Sequence, residues 1–294
     1  MIYDVIIIGL GASGVSASIY AKRRGLNVCV INYGVPGGII STSSIVENYP
    51  GIKSISGSDF AFNLFEHFNS LNIPLYNEEV INIKNGDIKT VITTNNEYKA
   101  KKIIICSGRK PKKLGIKNED KYMGRGISYC ATCDGNLYKN KKVCVVGGGN
   151  SALESAIYLS NICETVYIIV RKDKFIGSES LVKDVLNKDN VVVKFNSVIE
   201  EIIGNDVVES IKIKGEEIKL SGIFINIGYE PSIGILKGLN LKMDNNYIVV
   251  DKNMETSVKG IYAAGDIIKK DLYQLVTSVS DGAVAATNVF KSIK

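Results

Sequence analysis

The sequence predicts an α/β protein of two three-layer units, the second inserted into the first, and three observations predict it. A short apolar run ending in a glycine turn and followed by a helical segment occurs twice, at residues 3–24 and again at 143–159. The chain has 294 residues, too many for one compact core. The tail, Gly260-Ile261-Tyr262-Ala263-Ala264-Gly265-Asp266, adds a strand and then a helix after the second unit has ended, so they complete the first. The expected boundaries are 1–112 with 237–294 for the first unit and 113–236 for the second.

In order, residues 3–8 read as a strand, Gly9-Leu10-Gly11-Ala12-Ser13-Gly14 as a tight turn and 15–24 as a helix. This is the pattern of a Rossmann-like unit: glycines let the backbone approach a pyrophosphate, and the helix N-terminus offers it free N–H groups. A second strand follows at 27–31. The acid that would bind a ribose at its end is absent, for Asn32 and Tyr33 stand there, which leaves the ribose to Asn32 or to backbone. Gly34-Val35-Pro36-Gly37-Gly38 is a loop and Glu47-Asn48-Tyr49-Pro50-Gly51 a turn. Phe60, Phe62, Leu64, Phe65 and Phe68 have helical spacing over 58–71, with Ser58 or Asp59 as cap. His67 on that helix reads as a partly exposed residue, not as a ligand or base. Residues 78–102 alternate as a small β element with a turn at Asn95-Asn96, and 102–108 form a buried strand.

The pattern restarts after Arg109-Lys110-Pro111-Lys112-Lys113. Residues 143–146, Gly147-Gly148-Gly149-Asn150-Ser151-Ala152 and a helix over 152–159 repeat strand, turn and helix. The next strand, 166–170, ends in Arg171-Lys172, two cations that suit a ribose 2′-phosphate and favour NADPH over NADH. Residues 191–219 read as a strand and hairpins, 222–228 as a last strand, and Tyr229-Glu230-Pro231 as the loop that returns the chain to the first unit. In the tail Asp266 stands at a strand end, where it can bind a polyol hydroxyl, before a helix from Gln274 to about Phe290.

Tyr129-Cys130-Ala131-Thr132-Cys133-Asp134-Gly135 lies between the two turns. Two cysteines at this spacing close a small disulfide ring, and the carboxylate beside them can move protons for the reduced sulfur. A zinc site needs four ligands, and the chain has no second close cysteine pair and a single histidine, so no metal is expected. Cys29, Cys106, Cys144 and Cys163 read as small packing residues. Apolar residues make up 45% and the net charge is +6, spread over lysine pairs with no basic stripe, so no nucleic-acid partner is expected. No signal-like start and no apolar run of membrane length is seen, which points to the cytoplasm, where a lasting structural disulfide is disfavoured and a catalytic pair fits.

The two glycine turns, Val46-Glu47-Asn48-Tyr49-Pro50-Gly51, Cys130-Ala131-Thr132-Cys133-Asp134-Gly135 and Ala263-Ala264-Gly265-Asp266, in this order and spacing, closely resemble the low-molecular-weight bacterial thioredoxin reductases, nearly end to end. The resemblance implies a homodimer that passes electrons from NADPH through FAD to the dithiol and on to thioredoxin or a thioredoxin-like protein. It implies FAD on Gly9, Gly11, Ala12, Ser13, Gly14, Gly38, Asn48, Gly108, Asp266 and Gln274. It implies the nicotinamide nucleotide on Gly147, Gly149, Asn150, Ser151, Ala152, Arg171 and Lys172. Cys133 would face the flavin, Cys130 would attack the partner disulfide, and Asp134 would be the acid/base. Rotation of one unit against the other is expected, with hinges near 109–113 and 229–233.

The chain departs from this pattern at several points. Where the family has a histidine, two arginines and a third arginine, it has Val170, Arg171, Lys172 and Ile176, which should weaken NADPH binding and widen the choice toward NADH. Ile39 replaces a glutamine near the flavin, and Tyr273 an arginine. Two rivals stay open: a same-fold enzyme fed by another donor such as NADH or ferredoxin, or running as a dithiol oxidase, and a flavin redox sensor. The complete turn at 147–152 argues against the first, and the carboxylate beside Cys133 against the second.

Overall fold

The computed structural model describes residues 1–43, 45–236 and 238–294. They divide into two compact units, Met1–Lys110 with Pro231–Lys294, and Pro111–Glu230. The chain leaves the first unit two residues before the expected boundary at 112, and the expected boundary at 237 lies outside the described residues. Short strands, Arg109–Pro111 and Tyr229–Pro231, carry both crossings, the second where the sequence predicts a loop.

In the first unit Leu75–Asn77, Val28–Asn32, Ile2–Ile8 and Glu97–Ile105 form a parallel sheet in that order. The far half of Glu97–Ile105 pairs in parallel with Ile261–Ala263, and its near half pairs antiparallel with Lys89–Thr93, which continues to Val80–Lys84. Ile2–Ile8 is apolar at successive positions because both its faces are covered. Val5 and Ile7 enter a core with Val15, Ala17, Ala285 and Val289 of two helices, while Ile6 and Ile8 enter a second core with Val80, Ile83 and Ile248.

Those helices, Ala12–Arg23 and Leu275–Ile293, bring their backbones together: Ser16 Oγ donates to the Val279 carbonyl at 2.6 Å. The last helix starts as expected, with a capping box between Gln274 and Thr277, and runs three residues past Phe290. The helix Gly57–Asn69 is capped by Ser56, whose Oγ accepts the Asp59 N–H at 3.1 Å, not by Ser58 or Asp59. The strand expected over 102–108 instead spans Glu97–Ile105, and Cys106-Ser107-Gly108 leaves the sheet to line a cavity.

In the second unit the parallel sheet runs Val191–Lys194, Thr165–Ile169, Lys142–Val146, Gly222–Ile225, Ile127–Ser128. On one face Val143, Val145 and Phe224 pack against Ala152, Leu153 and Ala156 of the helix Asn150–Ser160. On the other, Cys144, Val146, Ile223 and Ile225 pack against Ile202, Ile211 and Ile213 of a three-stranded antiparallel sheet. Helix, sheet and sheet make three layers.

Candidate active site

Ile127–Ser128 is an edge strand, and the chain turns at Tyr129 into the four-residue helix Ala131–Asp134. Cys130 is the residue that caps this helix. Its Sγ accepts the Cys133 N–H at 3.2 Å, a place more often filled by a serine or aspartate oxygen. The cap brings the two cysteines to a Cα–Cα distance of 5.3 Å, and they are joined as a disulfide. Cys133 is exposed and Cys130 half-buried.

Asp134, at the end of the same turn, is held by a residue to which the sequence drew no attention. Ser128 Oγ donates to Asp134 Oδ2 at 2.7 Å and accepts the Cys130 N–H at 3.0 Å. Nearby, the buried Glu119 carboxylate accepts the N–H groups of Leu114 and Gly115 at 2.9 and 2.8 Å and the Tyr129 hydroxyl at 3.3 Å. Burial, and then the charge of Glu119, push the Tyr129 hydroxyl up to about 12, so it stays a donor and fixes the residue beside Cys130.

The other four cysteines are buried in the cores of the two units. Burial pushes the thiols of Cys29 and Cys106 up to about 12 and that of Cys163 to about 11, and moves Cys144 the same way. They are packing residues with no thiolate to offer. His67 is exposed on its helix. Among the described residues no three histidine, cysteine or acidic side chains gather as a metal site.

In the first unit a cavity of about 410 Å³ opens at the glycine turn. Gly9, Gly11, Ala12, Ser13, Gly38, Asn48, Gly108, Asp266 and Gln274 all line it, as do the variant positions Ile39 and Tyr273. Gly14 lies behind it, where a Cβ would come within 2.0 Å of the Gly9 carbonyl oxygen, so this glycine lets the helix close on the turn. Gly9 has φ +100° and its own Cβ would meet the Cys106 carbonyl oxygen at 2.4 Å. Asn32 lines the cavity and also braces the turn: its Oδ1 accepts the Leu10 N–H at 3.0 Å and its Nδ2 donates to the Gly34 carbonyl at 3.0 Å. Asn48 Nδ2 donates to Gln274 Oε1 at 3.0 Å.

Asp266 is the hub of this cavity's charge. Its Oδ2 accepts Arg109 Nη2 at 2.7 Å and its Oδ1 accepts Ser278 Oγ at 2.9 Å, with Lys270 Nζ 3.5 Å away. Lys270 in turn pairs with Asp281 at 2.8 Å. The guanidinium of Arg109 lies 4.9 Å from the centre of the Tyr273 ring, within cation–π reach of it. The free N–H groups of the helix Ala12–Arg23, a turn without side chains in the way and a cavity of ligand size suit the pyrophosphate of a dinucleotide.

The second glycine turn is likewise shaped for close approach, with Gly147 at φ +143° and its Cβ position 2.2 Å from the Asn226 carbonyl oxygen. Asn150 and Ser151 open the helix on its exposed side, and Ala152 packs into the core. The segment after the second strand folds back over this turn: Ile176 N–H donates to the Gly148 carbonyl at 2.8 Å and Ser178 N–H to Asn150 Oδ1 at 2.8 Å. Val170 is a core residue whose Cγ1 would lie 2.9 Å from a Cβ at Gly148. Arg171 and Lys172 are exposed beyond it, joined by Lys174, a third cation that the sequence reading passed over. Ile176 is 65% exposed and reaches over Gly149.

Among the described residues no helix is long and apolar enough to cross a membrane. Residues 3–282 match the family model described as pyridine nucleotide-disulphide oxidoreductase. The chain is 38% identical to the thioredoxin reductase of Mycoplasma pneumoniae, over 98% of this chain and 95% of that one. Its fold superposes on thioredoxin reductase from Lactococcus lactis with a TM-score of 0.86 at 36% identity, covering 98% of each chain. The enzyme from T. acidophilum gives 0.86 at 38% identity over 99% of each. The matches run along essentially the whole length, and the chain belongs to the pyridine nucleotide-disulphide oxidoreductases.

Proposed function

We propose that the chain is a thioredoxin-disulfide reductase that carries electrons from NADPH through FAD and the Cys130/Cys133 pair to the disulfide of thioredoxin or a thioredoxin-like protein. The observation that carries this reading is the helix-capping disulfide with its carboxylate, in the unit that also holds a complete second nucleotide turn. Gly9, Gly11, Ala12, Ser13, Gly38, Asn48, Gly108, Asp266 and Gln274 hold FAD, with Gly14 closing the turn behind them. Bound FAD supplies the two-electron relay between nicotinamide and disulfide. Gly147, Gly149, Asn150, Ser151, Ala152, Arg171 and Lys172 hold the nicotinamide nucleotide. The enzyme works as a homodimer in the cytoplasm.

Reduction breaks the bond between the two sulfurs. Cys130 leaves as a thiolate, stabilised by the Cys133 N–H that already points at it. It then attacks the partner's disulfide, forming a mixed disulfide and expelling one partner thiolate. Cys133 attacks Cys130 in turn, closing the ring and releasing the second thiolate. The proton that Cys133 gives up as it attacks passes to one leaving sulfur with Asp134 as the relay, and the other leaving sulfur takes its proton from solvent.

One observation favours a second reading, in which NADH also serves. An apolar, exposed Ile176 covers Gly149 where a cation would complete the phosphate clamp. Anaerobic mixing with NADPH and then with NADH, followed by flavin absorbance, decides between them. NADPH is expected to bleach the flavin faster, and Ile176→Arg to widen its lead by about tenfold, the effect of one added charge-assisted contact of roughly 1.5 kcal/mol. Faster bleaching by NADH would establish the second reading. No bleaching by either, in a protein that dithionite still reduces, would exclude a nicotinamide donor.

A further inference from the structure

Ser128 is 5% exposed at the end of its strand and has three polar partners. Its Oγ accepts the Cys130 N–H at 3.0 Å, donates to Asp134 Oδ2 at 2.7 Å, and has the Cys130 carbonyl oxygen as a second, longer acceptor at 3.2 Å. A hydroxyl carries one hydrogen and two lone pairs, so it can serve only one of these acceptors at a time.

We propose that Ser128 is the positioning residue for Asp134, a hydroxyl rotor that keeps the relay carboxyl bonded in both of its protonation states. With Asp134 ionised, the Ser128 hydrogen lies on Oδ2, the shorter contact. With Asp134 protonated on Oδ2, that hydrogen swings to the Cys130 carbonyl oxygen, and Ser128 Oγ accepts a hydrogen bond from the Oδ2 hydroxyl. The Cys130 N–H stays on Oγ throughout. Asp134 therefore takes a proton from a dithiol sulfur and returns it to the partner's leaving thiolate without reorienting, and the same serine anchors the backbone of the attacking cysteine.

Other titratable groups surround this turn. Tyr138 follows it, its hydroxyl pushed up by burial and then by the charge of Asp134. On the helix Asn150–Ser160, packed against the dithiol helix, Tyr158 lies against Gly135, and Glu154 has its carboxyl pushed up by burial. Tyr129 is turned to Glu119, and the two sulfurs complete the set. Of these, Ser128 donates directly to the Asp134 carboxylate, so its removal is read at Asp134.

This inference rests on the proposed role of the dithiol. The test is the pH profile of a half-reaction: flavoprotein reduced with dithiothreitol, freed of reductant, and oxidised by 5,5′-dithiobis(2-nitrobenzoate), with the released aromatic thiolate followed. The limb set by Asp134 is the one that Asp134→Asn removes. Ser128→Ala is expected to move that limb and Ser128→Thr to return it, since only the variant with a hydroxyl keeps the bond to the carboxylate. In the Asp134→Asn background Ser128→Ala should slow the reaction only through the lost Cys130 N–H contact, and so less than in the wild type, whereas damage to the strand would slow both backgrounds alike. An unmoved limb, an equal slowing in both backgrounds, or an Asp134→Asn profile like that of the wild type each overturns the proposal. The reductase reading fails separately, through serine variants of the two cysteines that still turn over.

Discussion

Replacing Cys133 by serine is expected to abolish thioredoxin reduction, to below about one thousandth of the wild-type rate, while leaving the protein yellow. A serine oxygen cannot take part in thiol–disulfide exchange, so the ring can be neither opened nor closed. The cavity assigned to the flavin is built from the other unit, which explains why its occupancy should survive. The two cysteines are not equivalent in this test. Cys130 keeps its stabilising Cys133-position N–H in the Cys133→Ser protein, so it should still attack and remain trapped as a mixed disulfide with the partner, visible by mass spectrometry. Cys130→Ser should be equally inactive and trap nothing on the remaining sulfur. Retained turnover in either variant would refute the mechanism, and trapping by Cys130→Ser alone would reverse the roles of the two sulfurs.

A second large effect should separate the two nucleotide sites. Gly9 and Gly147 occupy equivalent turns, at φ +100° and +143°, and a Cβ at either would collide with a carbonyl oxygen, at 2.4 and 2.2 Å. A valine there combines backbone strain of about 1–3 kcal/mol with an overlap that only movement of the turn relieves. Gly9→Val is expected to purify colourless, its flavin content down at least tenfold. Gly147→Val should stay yellow and be reduced by dithionite, yet bleach with NADPH at least a hundredfold more slowly. Circular dichroism of both proteins checks that the sheets persist. A colourless Gly147→Val or a yellow Gly9→Val would mean that the two turns have been assigned to the wrong ligands.

What could be read in the sequence was what is local. Glycine turns, the Cys-x-x-Cys spacing and the strand runs depend on residues a few positions apart; the ten residues expected around the flavin came from the family resemblance instead, and nine of them line one cavity. Partnerships between distant or differently folded segments were invisible. Arg109 and Asp266 are 157 positions apart, and nothing in either neighbourhood announces the other. Ser128 and Asp134 are only six apart, but the bond runs from a strand end to a helix end, a geometry that no periodicity encodes. Asn32 lines the cavity, and its bonds to the Leu10 N–H and the Gly34 carbonyl, which brace the turn, could not be read from its place in the sequence. The cap at Ser56 was missed because three hydroxyl or acidic side chains compete within four residues. Gly57 decides among them, since a Cβ there would meet the Ile40 carbonyl oxygen at 2.1 Å and only a bare residue can begin the helix at that point.

The discontinuity of the first unit sets an order on biosynthesis. Its first strand and glycine turn are synthesised before the inserted unit, but the strand Ile261–Ala263, the hub at Asp266 and the helix Leu275–Ile293 only after it. At ordinary rates of translation that interval is on the order of ten to fifty seconds. The inserted unit, complete by Glu230, is free to fold meanwhile around its own sheet. A nascent chain therefore holds a finished dithiol unit before it can hold its flavin, and cofactor loading waits for the helix that completes the first unit.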